Sequence, residues 1–344
     1  MDKSTVAAGF PKAFLDFAVT RGADRRALVE RSRIRPEDLC EPNNRVPLAD
    51  YLSLLEAGVE LCNEPALALL FGEGVRMQDI SVVGLMGEIV EDVEAGRRLA
   101  NRYSRLLVDF DDGGAADSTE FVSENGNVWL KFKSALYREH PLITESAFAR
   151  CVCGARERLA SGRVQMSGPF PKEIHFTHAE PAHRAEYDRI FGVPLVFGSH
   201  TNAFLLDEEV LSMLMPRPNP YLSQILIAHA EELLKDLERS RSTRGRVEGV
   251  LLPLLHTGGA SVAVVADELG VSRQTLFRRL RAEGTTFEQV LDELRRRLAL
   301  QYLSAGGASV NETAYLLGFS EPAAFSRAFK RWTGSSPRMM RPKG

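Results

Sequence analysis

Nowhere in the 344 residues is there an uninterrupted apolar run long enough to cross a bilayer, so no membrane-spanning segment is expected. The opening Met1-Asp2-Lys3-Ser4-Thr5 lacks the basic stretch, apolar block and small-residue cleavage site of a secretory leader, and a cytoplasmic protein follows as the expectation. Cysteine is scarce: Cys40, Cys62, Cys151 and Cys153 are too few and too irregularly spaced for a disulfide scaffold or a structural zinc site. They are read as reduced, partly buried side chains. Cys151 and Cys153 fall in a helix-like run from Glu145 to Leu159, where positions i and i+2 point apart. Also missing are the His-Glu-x-x-His and Gly-x-Ser-x-Gly runs of hydrolytic enzymes, and Ser161-Gly162 forms no phosphate-cradling loop. No enzyme and no cofactor are expected. Among the histidines, His175, His178, His183 and His200 come closest to a metal set, but His175 and His178 lie three apart on a predicted strand and face opposite ways. Hydrogen-bonded structural histidines, and no metal, are the reading.

What is present is enough chain for two cores and an uneven distribution of charge. Residues 241–344 carry 16 Lys and Arg against 9 Asp and Glu, while the preceding 240 carry 27 against 37. A net of +7 at the C-terminal end thus sits behind an overall −3. A basic domain suits a polyanion, because each cation set on a phosphate releases condensed counterions.

Within that basic part the sequence repeats. Ala266-Asp267-Glu268-Leu269-Gly270-Val271-Ser272 is echoed 48 residues later by Ala314-Tyr315-Leu316-Leu317-Gly318-Phe319-Ser320. Each copy reads as helix, glycine turn, helix: Val262, Val265, Ala266 and Leu269 recur at helical spacing, Gly270 permits positive φ, and Ser272 is an N-cap residue. The second copy uses Val310, Ala314, Leu317, Gly318 and, as N-cap, Ser320. Two helix-turn-helix units are predicted over 261–282 and 309–333. In such a unit the second helix enters the major groove and its outward residues meet base edges or phosphates. The candidates for DNA contact are Ser272, Arg273, Gln274, Thr275, Arg278 and Arg279 in the first unit, with Arg suited to guanine and Gln to adenine. In the second they are Ser320, Glu321, Ala323, Ser326, Arg327 and Lys330, where small and acidic leading residues favour phosphate positioning over base readout. Leu269, Leu276, Phe277, Phe325, Phe329 and Trp332 are assigned to the core. Between the units, 287–303 shows helical apolar spacing, a rod of about 25 Å, with Arg295-Arg296-Arg297 as a solvated face. Such a rod would let one chain read two successive major-groove turns of double-stranded DNA.

The run Gly318-Phe319-Ser320-Glu321-Pro322-Ala323-Ala324-Phe325-Ser326-Arg327-Ala328-Phe329-Lys330-Arg331-Trp332-Thr333-Gly334-Ser335-Ser336-Pro337 resembles the AraC/XylS transcription regulators, and 271–287 resembles the first helix-turn-helix of that family. Met340 departs from it, standing before Arg341 where an aromatic is common. The resemblance implies a regulator of promoter sites that contacts RNA polymerase, acts as an activator, and joins an N-terminal domain over 1–238 to a DNA-binding domain over 239–344. A DNA-repair protein with this type of domain would need a nucleophilic cysteine in Pro-Cys-His-Arg, which is absent.

Residues 1–238 read as an α+β sensory domain ahead of the all-α DNA-binding domain. Helical periodicity covers Pro47 to Leu61 and Gly84 to Leu107; Glu120–Ser123 and Val128–Phe132 flank the turn Glu124-Asn125-Gly126-Asn127 of a hairpin; Lys172–Thr177 and Leu195–Phe197 are further strands. This region resembles the arabinose-binding-like N-terminal domain of the OruR/VirS-type branch of AraC regulators, in Tyr51 to Gly72, Gly84-Leu85-Met86-Gly87, His175-Phe176-Thr177-His178-Ala179-Glu180-Pro181, Ile190 to Phe197 and Asn202-Ala203. The resemblance implies a small-molecule effector, a homodimer, or both; the alternative is a domain that only dimerises. Phe71, Tyr103, Phe110, Trp129, Tyr137 and Tyr187 are read as core, and no effector contact is nominated.

Overall fold

In the computed structural model, residues 4–110, 117–124, 127–158, 168–212, 219–304 and 308–340 are described, and the chain divides into two units, Met1–Leu234 and Lys235–Gly344. No helix among the described residues is long and apolar enough to cross a membrane.

The first unit is α+β and contains two sheets. In the smaller, β1 (Thr5–Ala7) pairs antiparallel with both β2 (Arg45–Pro47) and β3 (Val108–Asp109), placing Val6 opposite Val46 and Val108. The Arg45 guanidinium clamps this join, donating to the carbonyls of Thr5 and Leu106 at 2.8 Å each. Around it lie α1 (Gly9–Thr20), α2 (Arg25–Ser32), α3 (Leu48–Cys62), α4 (Leu67–Gly74), the short α5 (Met77–Ile80) and α6 (Val82–Leu85), and α7 (Val93–Leu107). Helix α3 turns Leu48, Tyr51, Leu54 and Leu55 inward, the i, i+3, i+6, i+7 stripe read from the sequence. The single helix expected from Gly84 to Leu107 is broken instead. A 3-10 turn covers Met86–Ile89, and α7 restarts after Asp92, whose carboxylate accepts the Ala95 N–H at 2.6 Å.

The larger sheet runs β4 (Thr119–Glu124), β5 (Asn127–Phe132), β8 (Asn202–Leu206), β6 (Glu173–His175), β7 (Leu195–Val196), with only β6 and β7 parallel. Strands β4 and β5 pair with Glu124 opposite Asn127; Asn125-Gly126, expected as the turn, lie outside the described residues, as do Leu159, Ser161-Gly162 and Arg341. Helices α8 (Ala135–Glu139) and α9 (Pro141–Arg158) lie between β5 and β6 in the chain and α10 (Arg184–Phe191) between β6 and β7, and Phe148 of α9 packs 4.6 Å from the rings of Phe132 and Phe204. Helices α4 and α9 cross closely at Gly72, where a Cβ would stand 2.3 Å from the Ser146 carbonyl oxygen. The boundary between units falls within α11 (Pro220–Arg241).

The second unit is all helix: α12 (Thr243–Leu254), α13 (Val262–Glu268), α14 (Arg273–Ala282), α15 (Phe287–Ser304), α16 (Val310–Leu316), α17 (Pro322–Thr333) and α18 (Pro337–Met340). One core holds it, with Val247, Leu251 and Leu255 packed among Leu276, Leu280, Val290, Leu294, Leu317, Phe325 and Phe329.

Candidate nucleic-acid interface

The first recognition helix is α14. Ser261 caps α13 by accepting the Val264 N–H at 3.3 Å, Gly270 makes the turn at φ +62°, and Ser272 caps α14 by accepting the Thr275 N–H at 3.1 Å. Leu276 and Leu280, four apart, are fully buried; Gln274, Arg278 and Arg279 lie away from them and are exposed, Arg273 is exposed at the first residue of the helix, and Thr275 is half-buried. Phe277 departs from the core assignment. One residue past Leu276 it is turned about 100° around the helix, and it is 44% exposed among the arginines.

The second unit differs at its turn. Ser309 and Glu312 form a reciprocal capping box at the start of α16, and Gly318 turns at φ +75°. Ser320 is exposed but is not the cap: that position belongs to Glu321, because Pro322 occupies the first helical residue, where its missing N–H costs nothing. Phe325 and Phe329 are buried; Glu321, Ala323, Arg327 and Lys330 are exposed and Ser326 is half-buried. A groove of about 450 Å³ runs between α16, α17 and α18, lined by Val310, Asn311, Pro322, Ala323, Ser326, Arg327, Lys330, Ser336, Pro337 and Arg338. Asn311 and Arg338 join the face only through packing, and nothing in the local pattern marks them.

Charge separates the outward face from the frame. Among the described residues, Arg273, Arg278, Arg279, Arg327 and Lys330 make no ion pair, which leaves their charges available to an anion. Several cations of the frame are engaged, although among the described residues Arg246, Arg281 and Arg296 make no ion pair either. Arg244 and Arg297 reach Glu248 at 3.1 and 2.8 Å, and Arg331 reaches Asp292 at 2.7 Å. Burial alone would raise the Glu248 carboxyl, but hydrogen bonds from Arg297 and Arg244 outweigh it and hold the group below the usual carboxylate range. Arg295, expected on a solvated face, instead donates to the Leu317 carbonyl at 3.0 Å and stacks 4.6 Å from the Phe319 ring. Its burial lowers the guanidinium pKa and ties α15 to the second turn. Glu283, just past α14, accepts the N–H groups of Thr243 and Arg244 at 2.7 and 3.0 Å, capping α12 from a distance. The 18 residues of α15 make a rod of about 27 Å. Met340, on α18, is 43% exposed.

In the first unit three of the four histidines weighed as ligands, His175, His178 and His183, are hydrogen-bonded to protein groups, whereas among the described residues His200 has no such bond. His175 meets Glu173 at 2.6 Å and Ser199 at 3.2 Å, His183 meets Glu145 at 3.1 Å, and His178 meets the Ala179 carbonyl at 2.9 Å. The strand ends at His175, so His178 belongs to the following turn rather than the opposite strand face. Among the described residues no group of three or more His, Cys, Asp and Glu could hold a metal ion. The cysteines are free, Cys40 and Cys151 exposed, Cys62 and Cys153 half-buried.

Comparison with known proteins matches residues 22–215 to the family described as the N-terminal arabinose-binding domain of AraC transcription regulators, and residues 265–343 to a helix-turn-helix domain. The chain is 32% identical over 338 residues to the ornithine utilization regulator of Pseudomonas aeruginosa, covering 96% of this chain and 95% of that protein. It is 26% identical over 339 residues to the transcriptional regulator VirS of Mycobacterium tuberculosis, covering 96% and 94%. Of solved structures, the transcriptional regulator CdpR from Pseudomonas aeruginosa is similar at 24% identity and a TM-score of 0.40, over 92% of this chain and 96% of that one.

Proposed function

Since the chain belongs to the AraC family of DNA-binding transcription regulators, we propose that it is an effector-modulated activator whose two recognition helices read successive major-groove segments of promoter DNA. The observation that carries this reading is the set of unpaired cations, Arg273, Arg278, Arg279, Arg327 and Lys330, presented on two helices braced by one rod. The rod of about 27 Å spans most of the roughly 34 Å between successive major-groove faces.

On this reading Arg273, Gln274, Thr275, Arg278 and Phe277 carry base contacts, the last through a thymine methyl, and Arg279, Ser272, Ser320, Glu321, Ala323, Ser326, Arg327 and Lys330 set the register on the backbone. Residues 1–238 sense a small molecule and pair two copies, and 239–344 bind promoter DNA beside RNA polymerase. One relative is named as the ornithine utilization regulator, and a regulator of small-metabolite use in the family supports an effector for this chain.

The test is selection of bound sequences from a random DNA pool by the full-length protein, then titration of the selected site across a range of salt. Enrichment of a site spanning two helical turns is expected. Binding that is salt-sensitive with no sequence enriched would overturn the two-segment reading.

A further inference from the structure

We propose that Arg150 anchors a binding site for the carboxylate of a small-molecule effector, at the junction of α1, α3, α8 and α9 in the first unit. This inference rests on the effector reading of that unit and gives it a chemical class.

Arg150 lies near the C-terminal half of α9, half-buried, with its guanidinium 5.2 Å from the Phe10 ring of α1. Guanidinium has five N–H donors in a rigid fork and stays charged in proteins. Among the described residues its one hydrogen bond goes from Nη1 to Ser146 Oγ, 3.1 Å away and one turn back on the same helix. The groups that act on its charge are Tyr51 of α3, Tyr137 of α8 and Cys151, all neutral at pH 7, and no carboxylate is among them.

Other arginines of the unit are treated differently. Arg97 is paired with Glu94 at 2.6 Å, and Arg156 donates to the carbonyls of Phe170 and Ile190 at 2.9 and 2.8 Å and to that of Phe191. Arg150 has neither arrangement. Desolvation without a counter-ion is costly, and an arginine cannot relieve it by losing its proton.

The surroundings fit a carboxylate better than a bulky polyanion. Tyr51 is only 4% exposed, and among the described residues no hydrogen bond involves its hydroxyl or that of Tyr137. Two phenols near a fork supply further donors for a carboxylate, and the rings of Phe10 and Tyr137 make the surroundings apolar.

The experiment uses the full-length protein with Trp332→Phe, so that Trp129 reports unfolding of the first unit. Sodium hexanoate and sodium benzoate are compared with sodium chloride at equal ionic strength, and with hexanamide and benzamide. At a hundredfold excess over Kd a carboxylate is expected to raise the midpoint by about 5 °C. The rise disappears in Arg150→Met, and shrinks in Arg150→Lys, which keeps the charge and loses the fork. Tyr137→Phe gives a smaller rise than wild type. The proposal is overturned if neither carboxylate exceeds chloride, if the amides act equally, if inorganic phosphate alone stabilises, or if Arg150→Met keeps the rise. The DNA selection tests the regulator reading separately: a protein that enriches a DNA site yet ignores carboxylates sinks this site and leaves that reading standing.

Discussion

The two turn glycines of the DNA-binding unit make an internal control. Gly270 and Gly318 both have positive φ, +62° and +75°, but only one is sterically closed. A Cβ on Gly270 meets nothing within 4 Å, whereas on Gly318 it would stand 2.2 Å from the Leu255 carbonyl oxygen, against the 3.4 Å where ordinary contact begins. Left-handed backbone costs an alanine about 1–2 kcal/mol, offset by roughly 0.5 kcal/mol from the stiffer unfolded chain, so Gly270→Ala is expected to lose about 1 kcal/mol. Gly318→Ala adds a displacement of more than 1 Å between two stretches of backbone. Overpacking of that kind costs about 1–3 kcal/mol more, giving a total of about 2–4 kcal/mol. The assay is urea unfolding in a Trp129→Phe background, where Trp332 alone reports the second unit. With a slope of about 1–2 kcal/mol per molar, the midpoint should fall by about 0.5–1 M for Gly270→Ala and at least twice that for Gly318→Ala. Equal shifts would refute the reasoning, since they would mean that the Leu255 carbonyl yields freely.

Three further outcomes follow from the same geometry. Arg278→Ala should cost about 1–3 kcal/mol at the selected site and relax preference at one base, while Lys330→Ala should weaken all sequences alike and reduce the salt slope by about one; competition binding against single-base variants separates the two patterns. Phe329→Ala, at a position with no exposed surface, should destabilise the second unit by about 3–5 kcal/mol in the Trp332 assay, and a loss below ~1 kcal/mol would show that the site collapses around the cavity. For His183, a hydrogen bond to Glu145 raises the pKa against the opposing effect of burial, with Glu64 and Glu186 adding to it. A raised folded pKa means that the stabilisation is complete below the unfolded value of about 6.5 and is lost as pH climbs through the folded one. The first unit should therefore weaken as pH climbs from about 6.5 through the raised folded value, and His183→Gln should flatten that slope; an unchanged slope would remove His183 from the account.

The helix-turn-helix units were legible because every signal is local: apolar residues three and four apart, a glycine, and a serine three residues ahead of the N–H it caps. The same locality explains the misreadings. The apolar character of Phe277 suggests core, although Leu276 and Leu280 already fill the inward face one turn apart. Pro322 was the available sign that the second recognition helix begins after Glu321 and not after Ser320. Arg295 could not be read, since its partners Leu317 and Phe319 lie more than twenty residues away and are supplied by packing. Harder still was the small sheet. Its strands have three, three and two residues, too short to show alternation, and β1 finds β2 and β3 about 40 and 100 residues along the chain. The hairpin Thr119–Phe132 was visible because its strands are six residues long and adjacent.

The two readers look like copies, yet neither owns a core. Val247, Leu251 and Leu255, on the segment before the first reader, are buried together with Leu276 and Leu280 of one copy and Leu317, Phe325 and Phe329 of the other. A recombination event that moved one copy alone would deliver a motif with its apolar side open to water. The domain can therefore be inherited only as a whole. Divergence between its halves, and with it any change in the promoters it recognises, must proceed by substitution on the outward faces while the shared interior holds still.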